Sequence, residues 1–287
     1  MRNTFIDHLT RKAAHDPSIF LVVGDLGFTV VEPFMEKFPD RFLNAGVAEQ
    51  NMTSLAAGIA REGYRVFTYS IANFTTLRCL EQIRNDVCYH KLSVCVVSVG
   101  GGFMYGNLGP THHATEDIAV MRALPYTRVF VPFSRTSTRM AVDEILAGAG
   151  PAYLRLGRED QPFDRIADNE FTLVHRAHED RLAARCIVSV GQLAQATLDQ
   201  AKADGADVYA LCRLKPLPAG TVELLDRYAQ VRVVEDHQYH GGAFSALSEA
   251  TSRLESSSIR DRLSSRVAKE AEQRRAMISG PDPDNGM

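Results

Sequence analysis

The chain predicts an α/β fold, with a parallel-sheet domain followed by a smaller α/β domain, and three observations carry this. Short apolar runs bounded by glycine or polar turns alternate with segments of helical period over residues 1–158. The pattern lapses into charged, aperiodic sequence over 159–180, which reads as a linker, and restarts over 181–287. At 287 residues, 45% hydrophobic and 23% charged, the chain can build two cores of ordinary size.

The elements follow in order. Arg2 to His15 reads as an amphipathic helix with Phe5, Ile6, Leu9 and Ala13 turned inward, and Ile19-Phe20-Leu21-Val22-Val23 reads as a buried strand ending in Gly24-Asp25-Leu26-Gly27. A helix over Val30 to Lys37 and a strand over Arg41 to Asn44 come next. The chain then turns at Gly46 into a helix whose apolar stripe is expected to be Ala48, Met52, Leu55 and Ile59. Further strands are predicted at Arg65 to Tyr69, Ser93 to Val99, Thr127 to Val131 and Ala152 to Leu156. Helices are predicted at Thr75 to His90 and Thr136 to Leu146. In the second domain, strands at Cys186 to Val190, Val208 to Leu211 and Val231 to Val234 alternate with helices through Leu198 and after Pro218. A charged helix is expected over Leu254 to Ser279.

Composition narrows the function classes. A net charge of -3 leaves no electrostatic footprint for nucleic acid or acidic membranes. Five cysteines, odd in number and without CxxC spacing, argue against a disulfide framework or a zinc site and for a reducing compartment. No apolar run has the length of a signal peptide core or a membrane span, so a cytoplasmic location is expected.

Four clusters fall at the carboxyl ends of predicted strands: Gly24 to Gly27, Gly46 to Glu49, Tyr69 to Phe74, and Gly109-Pro110-Thr111-His112. An open parallel sheet builds its site there. Together they offer a carboxylate, aromatic faces and an imidazole, which suits a flat heterocycle better than a phosphate. Glu49 also complements the dipole of the helix it opens, an ordinary structural role. His237 and His240 share the offset of one helical face but lie in a glycine-flanked turn, and read as structural.

The chain resembles the pyrimidine-binding half of the transketolase family of thiamine diphosphate enzymes. The likeness is carried by Gly24-Asp25-Leu26, Gly46-Val47-Ala48-Glu49-Gln50-Asn51-Met52, Arg78 with Glu81-Gln82-Ile83-Arg84, Gly109 to His112, and Tyr153-Leu154-Arg155-Leu156-Gly157-Arg158. In the second domain, Lys215-Pro216-Leu217 and Glu235-Asp236-His237 with Gly241-Gly242 resemble the family's carboxyl-terminal domain.

The resemblance implies that Glu49 bonds the N1′ nitrogen of the cofactor's aminopyrimidine and shares a proton with it, so that the exocyclic amine can act as a base. It implies cofactor contacts from Asp25, Leu26, Arg78 and an aromatic at Phe74, with a one-residue ambiguity toward Thr75, and makes Tyr69 a second aromatic candidate. His112 is implied at the reacting oxygen of the sugar, shuttling a proton. Arg158 matches a position that holds the sugar phosphate, which guanidinium suits geometrically, and Arg2 and Thr29 match two other acceptor-contact positions.

Two departures bear on the acceptor. Leu108 replaces an aspartate that many relatives carry before Gly-Pro-Thr-His, and Gly100-Gly101-Gly102 spans the position of a phosphate-contacting histidine. Neither replacement offers the lost polar contact, so an acceptor that is deoxygenated, bulkier or held differently is expected. The family's diphosphate-binding domain, with its Gly-Asp-Gly motif and Mg²⁺ ligands, has no counterpart in this sequence. The resemblance therefore implies a partner chain that supplies both, in an α2β2 assembly. A β chain of a 2-oxo acid dehydrogenase decarboxylase shares the Gly-x-Ala-Glu-Gln pattern, and a non-catalytic partner subunit is the alternative of a different class.

Overall fold

A computed structural model describes residues 1–157, 171–192 and 195–251. The strands are β1 (Ile19–Val23), β2 (Phe42–Asn44), β3 (Arg65–Ile71), β4 (Val94–Val99), β5 (Arg128–Phe130), β6 (Ala152–Leu156), β7 (Phe171–His175), β8 (Arg185–Val190), β9 (Asp207–Leu211), β10 (Arg213–Lys215) and β11 (Gln230–Glu235). The helices are α1 (Arg2–Ala13), α2 (Glu32–Lys37), α3 (Glu49–Arg61), α4 (Ala72–Thr75), α5 (Leu80–Gln82), α6 (Asp117–Ala123), α7 (Arg135–Ala147), α8 (Gln195–Asp204), α9 (Thr221–Leu225) and α10 (Ala243–Ala250).

A seven-stranded sheet has the order β10-β5-β6-β4-β3-β1-β2, and a four-stranded sheet has the order β11-β8-β9-β7. Every pairing from β5 to β2 is parallel, as the strand-helix alternation predicts. Successive strand residues serve opposite faces. Ile19, Leu21 and Val23 of β1 pack with Phe5, Ile6 and Leu9 of α1 and with Ala141 and Val142 of α7. Val22 turns the other way, to Met52, Ala56 and Ala60 of α3. On that second face Val96, Val129 and Tyr153 share a cluster with Val188, Val190 and Tyr209 of the smaller sheet. Met1–Leu247 form one compact unit that holds both sheets.

Several expectations need correction. The buried stripe of α3 is Glu49, Met52, Thr53, Ala56, Ala57 and Ala60, while Ala48 is exposed, Leu55 is 37% exposed and Ile59 is half-buried. Small residues let the helix lie close to the sheet, and that gain outweighs burying Leu55. The helix expected over Thr75 to His90 is broken into α4, α5 and a π-helical turn, Ile83–Cys88. Within the expected linker, Phe171–His175 forms an edge strand antiparallel to β9. The unforeseen β10 returns to the large sheet antiparallel to β5. The helix expected over 254–279 lies outside the described residues.

Candidate active site

The chain runs from β1 out to the edge strand β2, then returns to β3 on the other side of β1. Strand order thus reverses between β1 and β3, where a crevice opens at the carboxyl ends. Gly24 ends β1 there, and a Cβ on it would lie 3.5 Å from Glu49 Cγ and 3.4 Å from Ser70 Oγ. Gly46, at φ +73°, makes the turn that aims α3 at this crevice and delivers Glu49 into it.

Glu49 is 3% exposed, and its Oε2 accepts a hydrogen bond from Arg78 Nη1 at 2.8 Å. Gln50 Nε2 donates to the Arg78 carbonyl at 3.0 Å, tying the arginine's backbone to α3. The Arg78 guanidinium carbon lies 4.4 Å from the centre of the Phe74 ring, and that ring meets His112 edge-on at 5.1 Å. His112 Nδ1 lies 3.0 Å from Thr111 Oγ1, and Asn73 Nδ2 donates to the Thr111 carbonyl at 2.6 Å. Four expected site residues, Glu49, Arg78, Phe74 and His112, therefore form one continuous line across the strand ends. Phe74 is half-buried beside Arg78, whereas Thr75 is buried and hydrogen-bonded to Ser98 Oγ, so Phe74 is the side chain that faces the site.

Asp25 is exposed at φ +51°. Its Oδ1 accepts from Asn44 Nδ2 at 2.9 Å, and its N–H donates to Asn44 Oδ1 at 3.1 Å. Leu26 follows it, half-buried. Thr29 sits at φ +67°, a conformation costly for a β-branched residue, with its N–H bonded to Glu32 Oε1 at 2.7 Å. Arg2 opens α1, half-buried, with its Nε buried and unpartnered among the described residues. The neighbouring Met1 packs against Gly157 at the end of β6. Leu108 is 50% exposed in the turn before His112. Arg158 lies outside the described residues.

Tyr69 is a core group. It is 1% exposed and stacked on Phe5 at 6.1 Å, and burial pushes its hydroxyl well above the ordinary phenol range. Phe74 is the better-placed ring. The His113 ring meets Phe103 edge-on, with centroids 5.0 Å apart. His237 accepts from the Ala119 N–H at Nε2 and donates from Nδ1 to the Gln238 carbonyl, the structural role read from its turn. Sequence reasoning assigned no role to Asn44, Asn73 or Arg155. For Arg155 the signal was present, a charge in the middle of an otherwise apolar strand.

A buried carboxylate, a ring face and an imidazole in line, with a flat guanidinium now bridging the first two, suit a planar heterocycle carrying a basic nitrogen. Among the described residues no three His, Cys, Asp or Glu side chains converge as a metal site.

The family description "Transketolase, pyrimidine binding domain" matches residues 1–162. The chain is similar to one subunit of the apulose-4-phosphate transketolase of Phocaeicola vulgatus, 30% identical over 250 residues, covering 84% of this chain and 80% of that one. It is also similar to the 6-deoxy-6-sulfo-D-fructose transketolase subunit SqwH of a Clostridium species, 36% identical over 176 residues, covering 60% and 54%. A solved structure titled "Split gene transketolase, inactive beta4 tetramer" superposes with a TM-score of 0.74 at 33% identity, covering 86% of this chain and 83% of that one. With the pyrimidine-domain match, this fold and these subunit-length relatives, the chain belongs to the transketolase family.

Proposed function

We propose that this chain supplies the pyrimidine side of a thiamine diphosphate site and serves an enzyme that moves a two-carbon ketol unit from a ketose or ketose phosphate to an aldehyde acceptor. The observation that supports this reading is the line Glu49–Arg78–Phe74–His112 at the β1/β3 crevice. When bound, thiamine diphosphate supplies an acidic thiazolium carbon that adds to a carbonyl. Glu49, whose Oε2 accepts from Arg78, would hold the proton shared with the heterocycle's ring nitrogen. Phe74 would hold the heterocycle by its ring face, with Asp25 and Leu26 as further contacts. His112 takes and returns a proton at the substrate's oxygen.

Arg158 is assigned to the sugar phosphate, and Arg2 and Thr29 to other contacts with the acceptor. Exposed Leu108 offers no hydrogen-bond acceptor, which favours an aldehyde lacking a hydroxyl there or carrying a bulkier group. The diphosphate and its Mg²⁺ belong to an amino-terminal partner bearing the Gly-Asp-Gly motif, in an α2β2 assembly in the cytoplasm. One relative is named as a subunit of its transketolase and the solved relative as an inactive β4 tetramer, and both names support dependence on a partner.

Native mass spectrometry of the chain, its co-purifying partner and the mixture, each with thiamine diphosphate and Mg²⁺, tests this reading. Cofactor retained by the mixture and by neither chain alone is the expected result. Cofactor held by this chain alone, or by no combination, overturns it.

A further inference from the structure

The geometry points to Arg155 as a positioning residue, through which the smaller sheet sets the loop that carries His112. The inference rests on the proposed function only for its catalytic consequence. The loop's base is a reciprocal pair of backbone bonds, Gly102 N to Ala114 O at 2.7 Å and Ala114 N to Gly102 O at 2.9 Å. Between them, residues 103–113 run out to Leu108 and His112, and Asn73 holds the far end. Arg155, 6% exposed on β6, lies against this base. Its Nε donates to Asp117 Oδ2 at 2.7 Å, and its Nη2 donates to the Asp236 carbonyl at 2.7 Å and reaches the Ala114 carbonyl at 3.4 Å. Tyr153 donates to the same Asp117 oxygen at 2.6 Å.

Two glycines fit the loop to this network. A Cβ on Gly101 would fall inside the Arg155 guanidinium, and one on Gly102, at φ +63°, would fall inside the Asp236 carboxylate. Asp236 Oδ1 also lies 3.4 Å from the Phe103 N–H. Asp236 follows β11 of the smaller sheet directly, so that sheet's end supports the loop on one side while Arg155 supports it on the other. Burial opposes the Arg155 charge, but Asp117, Tyr153 and Asp236 outweigh it and the guanidinium is held more firmly protonated than usual. With the ion pair enclosed, moving either partner moves the loop base as well.

The test is hydrogen exchange by mass spectrometry on the full chain, with Arg155→Lys, Gly101→Ala and Asp236→Ala. Asp236 is exposed, so its variant keeps the buried ion pair and guards against a folding failure in the other two. Exchange in peptides spanning 101–114 is expected to rise about tenfold in each variant, with β3 and β4 unchanged. In the complex with its partner, the turnover number is expected to fall about tenfold for Arg155→Lys while thiamine diphosphate binding holds steady, because His112 moves and Glu49 does not. Unchanged exchange over 101–114 in folded Arg155→Lys and Asp236→Ala chains overturns the inference, as does protection lost equally from β4. Exchange that shifts as expected in a complex without transferase activity leaves Arg155's positioning role standing and removes the proposed function instead.

Discussion

At the scale of single residues, the proposed chemistry rests on Glu49, which is buried and accepts a hydrogen bond from Arg78 at Oε2. Glu49→Gln is nearly isosteric and should keep the fold. Transferase activity of the reconstituted complex should drop by about 10²–10⁴-fold, the usual worth of a positioned acid-base group. Steady-state rates beside a circular dichroism melt check this, and full activity would refute the assignment. Tyr69 and Phe74 show why aromatic identity alone does not mark a ligand ring. Both follow the same run of sequence, but Tyr69 is inside β3 and faces α1, whereas Phe74 stands past the strand's end beside Arg78.

At the scale of elements, α3 is positioned by Met52 and by the small residues that follow it on the same face. Met52, Ala56 and Ala60 pack on Val22, Val66 and Val94, so the helix lies close enough for its first turn to reach the crevice. Met52→Ala should cost about 2–5 kcal/mol, as a large-to-small change in a packed core does. Leu55→Ala, one turn along on the exposed side, should stay within about 0.5 kcal/mol. Urea denaturation of the two variants checks the register. Equal losses would return the helix to the stripe read from hydrophobicity alone.

At the scale of the whole molecule, the two sheets share a cluster and are tied by β10, which leaves the smaller sheet to pair with β5. All five cysteines are buried thiols. Burial pushes the Cys79 thiol up to about 11 and Cys186 up to about 12, and raises Cys88 and Cys95 as well. A thiolate-specific reagent in mildly alkaline buffer should therefore label none of them in the native chain and all five after unfolding, in one cooperative step. Early labelling of Cys186 alone, on β8, would show that the smaller sheet opens independently.

Local periodicity and turn chemistry determined much of this protein. β1 and β6 run over the predicted residues, and α1 and α7 lie within a residue or two of theirs, because alternation and the 3.6-residue period are properties of contiguous sequence. The clusters holding Glu49, Phe74 and His112 were legible for a similar reason, since an open parallel sheet gathers its strand ends, whereas Arg78 came only from the family resemblance. Tertiary structure alone decided what depends on distant partners. Which face of α3 is buried follows from how closely it approaches the sheet. The edge strand β7 and the returning β10 depend on pairing with β9 and β5. Arg155 gained its role only when Asp117 and Asp236, 38 and 81 residues away, came within hydrogen-bond reach. A buried charge takes its meaning from the groups that enclose it, and those are set by the fold rather than by its neighbours in the chain.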